Sequence, residues 1–152
     1  MTTTAMVTPV GTALDDGFST KVAFAADPDV SFWERTVKPP GFDGGDPIDI
    51  HTMFNTTYLT KAPNSLIELT DVTGVAAYDP VVLDQIVALE NVNGWITAHH
   101  PNNDTWDFVG FLRLFDPPEH AKGDFPLAAF TIVVTNQLLG VETAPVYTAA
   151  AT

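Results

Sequence analysis

The sequence predicts a mainly β domain: an antiparallel β-sandwich or partial barrel with one flanking α-helix. Three observations predict it. Apolar residues recur with a period of two in short runs, and clusters of Pro, Gly, Asn and Asp punctuate those runs. A single segment carries helical spacing instead. The chain has 152 residues, 45% of them hydrophobic, which suits one domain with a core of its own.

Taken in order, residues 1–17 are rich in Thr, Ala and Gly and read as an N-terminal arm. "FSTKVAFA" (18–25) and "VSFWERTV" (30–37) are strand candidates, the second ending at Pro39-Pro40. "IDIHTM" (48–53) alternates Ile48, Ile50 and Thr52 against Asp49, His51 and Met53. "TTYLTKAP" (56–63) is extended up to Pro63. "SLIELTDVTGVAAY" (65–78) is a long strand whose alternation slips near Asp71-Val72, the signature of a bulge. Its second half places Val72, Gly74, Ala76 and Tyr78 on one face.

"DPVVLDQIVALENVNG" (79–94) departs from this pattern. Asp79 stands where an N-cap belongs and Pro80 at the first helical position. Val82, Leu83, Ile86 and Leu89 follow at helical spacing, and Asn93-Gly94 is the stop signal. The prediction is one helix over about 80–91, lying on a sheet. "WITAHH" (95–100), "PNNDT" (101–105) and "WDFVGFLRLF" (106–115) then read as a hairpin. Trp106, Phe108, Leu112 and Leu114 share one face of its second strand. Asp107, Val109, Phe111, Arg113 and Phe115 share the other. "LAAFTIVVTN" (127–136) is apolar on both faces, so it is central or covered on both sides. Residues 18–136 form the domain, and "QLLGVETAPVYTAAAT" (137–152) reads as a C-terminal arm anchored by Val146 and Tyr147. Several strands buried on two faces in so small a chain point to partner subunits covering the second face.

Charge narrows the function. The chain has 19 acids against 6 bases, net −13 with His neutral. That sign repels phosphate and argues against ordinary nucleic-acid binding; it also keeps a protein soluble. With no cysteine, disulfides and thiolate metal sites are excluded. The N-terminus lacks the basic and apolar regions of a secretory signal, and no apolar run approaches the ~18 residues that span a bilayer.

The candidate chemistry is sparse. "PPGFDGGDPIDIHTM" (39–53) gathers Asp43, Asp46 and Asp49, but without the spacing or distal Glu of an EF-hand calcium loop. Its Gly44-Gly45 permits positive φ, while Pro39, Pro40 and Pro47 stiffen the flanks, so the loop reads as a shaped element. His99 and His100 are adjacent on a strand and point to opposite faces, poor geometry for one metal. No nucleophile motif, phosphate loop or dinucleotide fingerprint is present. The 16 aromatics fall within the apolar alternation, which favours packing over an exposed ligand platform. Catalytic, metal-binding and cofactor residues are therefore all read as none.

The ordered set "PPGFDGGDPIDIHTM" (39–53), "YLTKAP" (58–63), "AYDP" (77–80) and "FTIVVTN" (130–136) resembles the major tail tube proteins of long, non-contractile-tailed, siphovirus-like bacteriophages. The resemblance covers about residues 20–147 and rests on order and spacing. It implies a non-enzymatic virion protein, assembled in the bacterial host cytoplasm into the virion tail. Six copies would form a ring whose inner strands pair across subunits, and rings would stack around a tape-measure protein. Tail terminator and baseplate or tip proteins would be further partners, and genomic DNA would pass the lumen without specific binding. Loops at 37–47 and 53–64 would reach neighbouring subunits, and the terminal arms would lock rings together. On that basis Pro39, Pro40, Phe42, Asp43, Gly44, Gly45, Asp46, Met53, Phe54, Tyr58, Val146 and Tyr147 are the expected subunit or ring contacts. Inner-strand acids would repel DNA phosphates from the lumen wall. The rival readings are another ring-forming tail protein such as a tail terminator, a β-sandwich carbohydrate-binding module, and an acidic hydrolase.

Overall fold

A computed structural model of the chain describes residues 21–27, 33–77, 83–101 and 103–149. Its elements are β1 (Lys21–Phe24), β2 (Trp33–Lys38), β3 (Phe42–Asp43), β4 (Ile48–Asp49), β5 (Lys61–Ala62), β6 (Glu68–Leu69), β7 (Val72–Ala77), α1 (Leu83–Leu89), β8 (Gly94–His99), β9 (Thr105–Asp116), β10 (Leu127–Val134), β11 (Gln137–Leu138), β12 (Val141–Glu142) and β13 (Val146–Thr148). The predicted class is the one adopted: mainly β, one helix, an antiparallel sheet curled into a half-barrel. A seven-stranded sheet runs β1-β8-β9-β10-β7-β2, with β13 added against β9. β3 pairs with β6, β4 with β5 and β11 with β12 as separate small ribbons.

The core lies on one face of the large sheet. Ile96, Phe108, Leu112, Phe130, Ile132 and Val72 from four neighbouring strands are fully buried there, and Ile86 and Leu89 of α1 close over them. Burying one such side chain contributes roughly 1.5–3 kcal/mol relative to leaving it in water, which is why period-two alternation sets the register. β10 is central, between β9 and β7, and buries Ala128, Phe130, Ile132 and Val134 in strict alternation. Its other face is half-exposed: Thr131 and Val133 are neither buried nor open.

Several local expectations are corrected. Leu114 does not join Phe108 and Leu112. The β9–β10 register shifts between Thr131 and Ile132, which leaves Arg113 as an extra residue and inverts the alternation beyond it. Phe115 packs on the core in its place, and Leu114 is exposed. The expected strand over 48–53 is only Ile48–Asp49, and the extended 56–63 pairs only through Lys61–Ala62. Their alternation has no core to face, so nothing propagates the ladder. The expected long strand over 65–78 with a bulge near Asp71 is instead broken there: Glu68–Leu69 pairs with β3 in a separate ribbon, and Val72–Ala77 joins the large sheet. The helix stops at Leu89, because Asn91 takes φ 61° and donates its N–H to Leu112 O at 3.0 Å. Gly94 opens β8 instead of ending the helix. The proposed cap at Asp79-Pro80, the apolar Val82, the face assigned to Tyr78, the strand starts at 18–20 and 30–32 and the N-terminal arm lie outside the described residues.

The two ends of the sheet meet through one side chain. Ala25 N–H bonds across β8 to Trp95 O, so by strand alternation Val22 N–H points away from β8. Glu34 Oε1, on β2 at the far end of the strand order, accepts that N–H at 2.9 Å. The carboxylate thus bridges the open side of the half-barrel. We expect Glu34→Ala to cost about 1–2 kcal/mol through the unpaired N–H, and Glu34→Gln to restore most of it; urea melts of both variants check this.

Candidate subunit-contact surface

Between β2 and β7 the chain leaves the sheet as an arm, residues 42–69. Its root is tied by reciprocal bonds: Thr70 Oγ1 accepts Gly41 N–H, and Gly41 O accepts Thr70 N–H, both at 2.8 Å. Pro40 is buried and Pro39 half-buried, so these two support the root. Beyond them Asp43 Oδ1 accepts Gly45 N–H at 2.9 Å, and Gly45 takes φ 73°. Asp43 is therefore used in shaping the turn. Asp46 is exposed, and Asp49 lies 4.0 Å from Lys61 Nζ on the paired strand. An exposed pair at that distance contributes little.

The tip of the arm is ordered by Asn55. Its Oδ1 accepts Thr52 N–H at 2.7 Å, its own N–H reaches Thr52 O at 3.0 Å, and its Nδ2 donates to Tyr58 O at 3.1 Å. This small network holds the tip while leaving its apolar side chains outside. Met53 is 100% exposed and Phe54 93%. Tyr58, Leu59, Ile48, Ile50, Leu66 and Ile67 are exposed along the same arm. Among the described residues nothing covers this run of large apolar side chains, an exposed apolar patch of the kind that partner contacts use.

Phe42 at the base of the arm and the C-terminal segment converge on Trp106. The Phe42 ring lies 5.2 Å from the Trp106 ring, tilted at 34°, and remains 64% exposed. Tyr147 on β13 is the register partner of Trp106 on β9, with Val146 opposite Asp107. Trp106 was legible only as a core residue; no local pattern marked it as the meeting point. Residues 137–149 form the β11–β12 ribbon and β13, so this stretch of the C-terminal segment is built onto the sheet. Val146 and Tyr147 keep half their surface exposed there. The arm tip and this cluster are two separate groupings of the expected contact residues.

Tyr147 donates its hydroxyl to Asp104, and that hydrogen bond, with a small desolvation and the carboxylate's charge, raises the phenol above its usual pKa. Because the folded value is raised, the stabilisation is fully present below the ordinary phenol pKa of about 10 and is lost as pH rises through the folded value. We expect the Tyr147 phenol to titrate at higher pH in the parent than in Asp104→Asn, read from the ultraviolet absorbance of the phenolate.

Among the described residues no group of three or more His, Asp or Glu is placed to hold a metal ion, and no helix is long and apolar enough to cross a membrane. His99 ends β8, whereas His100 lies in the turn, its N–H bonded to Asp104 O at 2.9 Å. The described acids are spread over strands, loops and the helix: Asp43, Asp49, Glu68, Asp116 and Glu142 on strands, and Asp46, Asp71, Asp84, Glu119 and Asp124 elsewhere, are all exposed. On the strands, Asp107 is half-buried and accepts the Thr97 hydroxyl.

No protein-family model matches the chain, and no curated protein matches it. Seven chains of solved structures do. One belongs to the cryo-EM structure of the anti-feeding prophage baseplate, symmetrised six-fold. It superimposes with a TM-score of 0.59 at 10% identity, over 86% of this chain and 94% of that one. At this identity the likeness establishes a shared fold, and it extends over nearly the whole of both chains.

Proposed function

We propose that the chain is a structural, non-enzymatic subunit of a phage-type tail that assembles with copies of itself into rings. The observation that carries this reading is the ordered arm at 42–69, which displays Met53, Phe54, Tyr58 and Leu59 and buries them against none of its own core. The fold it shares with a chain of a six-fold baseplate from a phage-tail-like particle supports the tail context. In the fuller form of the proposal, six copies form a ring, rings stack into the tube around a tape-measure protein, and genomic DNA passes inside on its way to the host. On this reading the protein belongs to the virion tail, beside terminator and baseplate or tip proteins. The exposed acids suit a conduit, since carboxylates repel phosphate.

A second reading is a tail protein that forms a single ring, such as a terminator or a baseplate component; the fold match to a baseplate chain favours it over a carbohydrate module. Negative-stain microscopy of the purified protein at rising concentration separates the two. Tubes or stacked rings support the tube subunit, and single rings support the second reading. Monomers that bind glycans would overturn both.

A further inference from the structure

β10 and β13 run along the same edge of β9. β8 holds the other edge, pairing with both Asp107 and Gly110. Thr135 N–H still bonds to Val109 O at 2.9 Å before the chain departs. What separates β10 from β13 is an excursion, the β11–β12 hairpin, pushed out of a single strand line.

That hairpin is firmly held. Asn136 takes φ 53°, and its O accepts Thr143 N–H at 2.8 Å, closing the neck. Asn93 Nδ2 donates to Gln137 O at 2.9 Å, while Asn93 Oδ1 accepts the Thr135 hydroxyl at 2.9 Å. Gln137 Oε1 accepts Gly140 N–H at 2.9 Å within the turn. The two turn residues, Leu139 (φ 51°) and Gly140 (φ 79°), both have positive φ, the type I′ pattern. Asn, Asp or Gly suits the first of these positions; a leucine there carries conformational strain. Leu139 is nevertheless 94% exposed, and Val141 beside it is exposed too. A strained, solvent-facing leucine on a braced hairpin has no role in its own core.

We propose that this hairpin is a knob that seats Leu139 against the arm tip of a second copy of the chain, on Met53, Phe54, Tyr58 and Leu59. Charge selects that occupant. Residues 52–60 and 125–141 contain no Asp, Glu, Lys or Arg, in a chain whose net charge is −13. Two such acidic molecules approach most readily where carboxylates are few: the arm tip has none, and the exposed Glu142 of the hairpin lies at its base opposite Gln137, away from the Leu139-Gly140 turn. Knob and receiving surface are different segments, so the contact is head-to-tail and repeats into a ring or a filament. The bracing lowers the ordering cost of binding. The inference rests on the self-assembly proposed above and names the pair of surfaces that does it.

The chain has no cysteine, so introduced thiols are unambiguous reporters. The full chain carrying Leu139→Cys with Met53→Cys is oxidised under conditions where the parent assembles, then run without reductant. The expected result is a ladder of multimers, with dimers at most from either single variant. An assembled protein that gives no ladder, or a bridge formed within one monomer, overturns the knob and leaves the tail-subunit reading standing. A parent chain that never self-associates overturns both. Leu139→Asn supplies the control for folding: its melting temperature is expected to stay level or rise, while self-association weakens about tenfold or more. A lower melting temperature with unchanged association would overturn the inference.

Discussion

Replacing Gly74 with valine is expected to lower the melting temperature by roughly 10 °C, the largest fold effect of any single substitution considered for this chain. Gly74 lies in the middle of β7, paired with Val37 on β2 and Phe130 on β10. A Cβ at Gly74 would collide with Thr36 O and lie 2.6 Å from Phe130 Cζ. The Phe130 ring occupies the space a side chain would need, so the glycine permits that packing. The ring could shift, at the expense of a fully buried core residue. The Thr36 carbonyl belongs to the paired strand and has nowhere to go without breaking the β2–β7 ladder. Overpacking of this kind costs about 3 kcal/mol or more when backbone blocks relaxation. Gly44→Ala is the matched control, since a Cβ there meets nothing within 4 Å. Equal melting curves for the two variants would show that β2 and β10 do not close on Gly74 as described.

This glycine also marks where sequence reading stops. The alternation of Val72, Gly74 and Ala76 was legible, because period-two burial is a local property of one strand. The ring that fills the gap comes from Phe130, more than fifty residues away, and no local pattern connects them. The same limit explains Leu114. Its alternation with Phe108 and Leu112 is unbroken in sequence, and only pairing with β10 places the extra residue at Arg113. Mainly β architecture, the single helix and the 95–115 hairpin were legible, since each is a run with its own period and turn residues. The contact surface was legible in part. Proline and glycine at 39–47 predicted a stiff loop, and Gly45 does take positive φ. Met53 was read as the end of the strand at 48–53, and the resemblance made Met53 and Phe54 expected contacts; their exposure follows from Asn55 tying the tip into a local turn, which ends the alternation that the strand reading relied on. Leu139 gave no signal at all, because a leucine before a glycine reads as an ordinary strand end.

Converting the arm tip to acid is expected to separate assembly from folding. Met53→Asp with Phe54→Asp touches side chains that are 100% and 93% exposed. The turn beneath them is held by Asn55 and Thr52, whose bonds use neither residue's side chain. The monomer therefore loses no packing, and its stability should stay within about 0.5 kcal/mol of the parent. In an assembly the same two positions would bury carboxylates in an apolar contact between molecules that already carry like charge, and burying an unpaired charge is far more costly than losing one apolar contact. Self-association should fall by about a hundredfold or more, read by sedimentation velocity, with rings or tubes absent from micrographs. Met53→Leu should assemble as the parent does, since it keeps the surface apolar. The two carboxylates should also make the monomer more soluble by removing exposed apolar area. A gain in solubility together with a loss of assembly, at constant stability, is what a surface built for a partner gives. If the doubly acidic variant assembled normally, the arm would have to be exposed for some other reason, and the argument for its role as a subunit contact would fail at its first step.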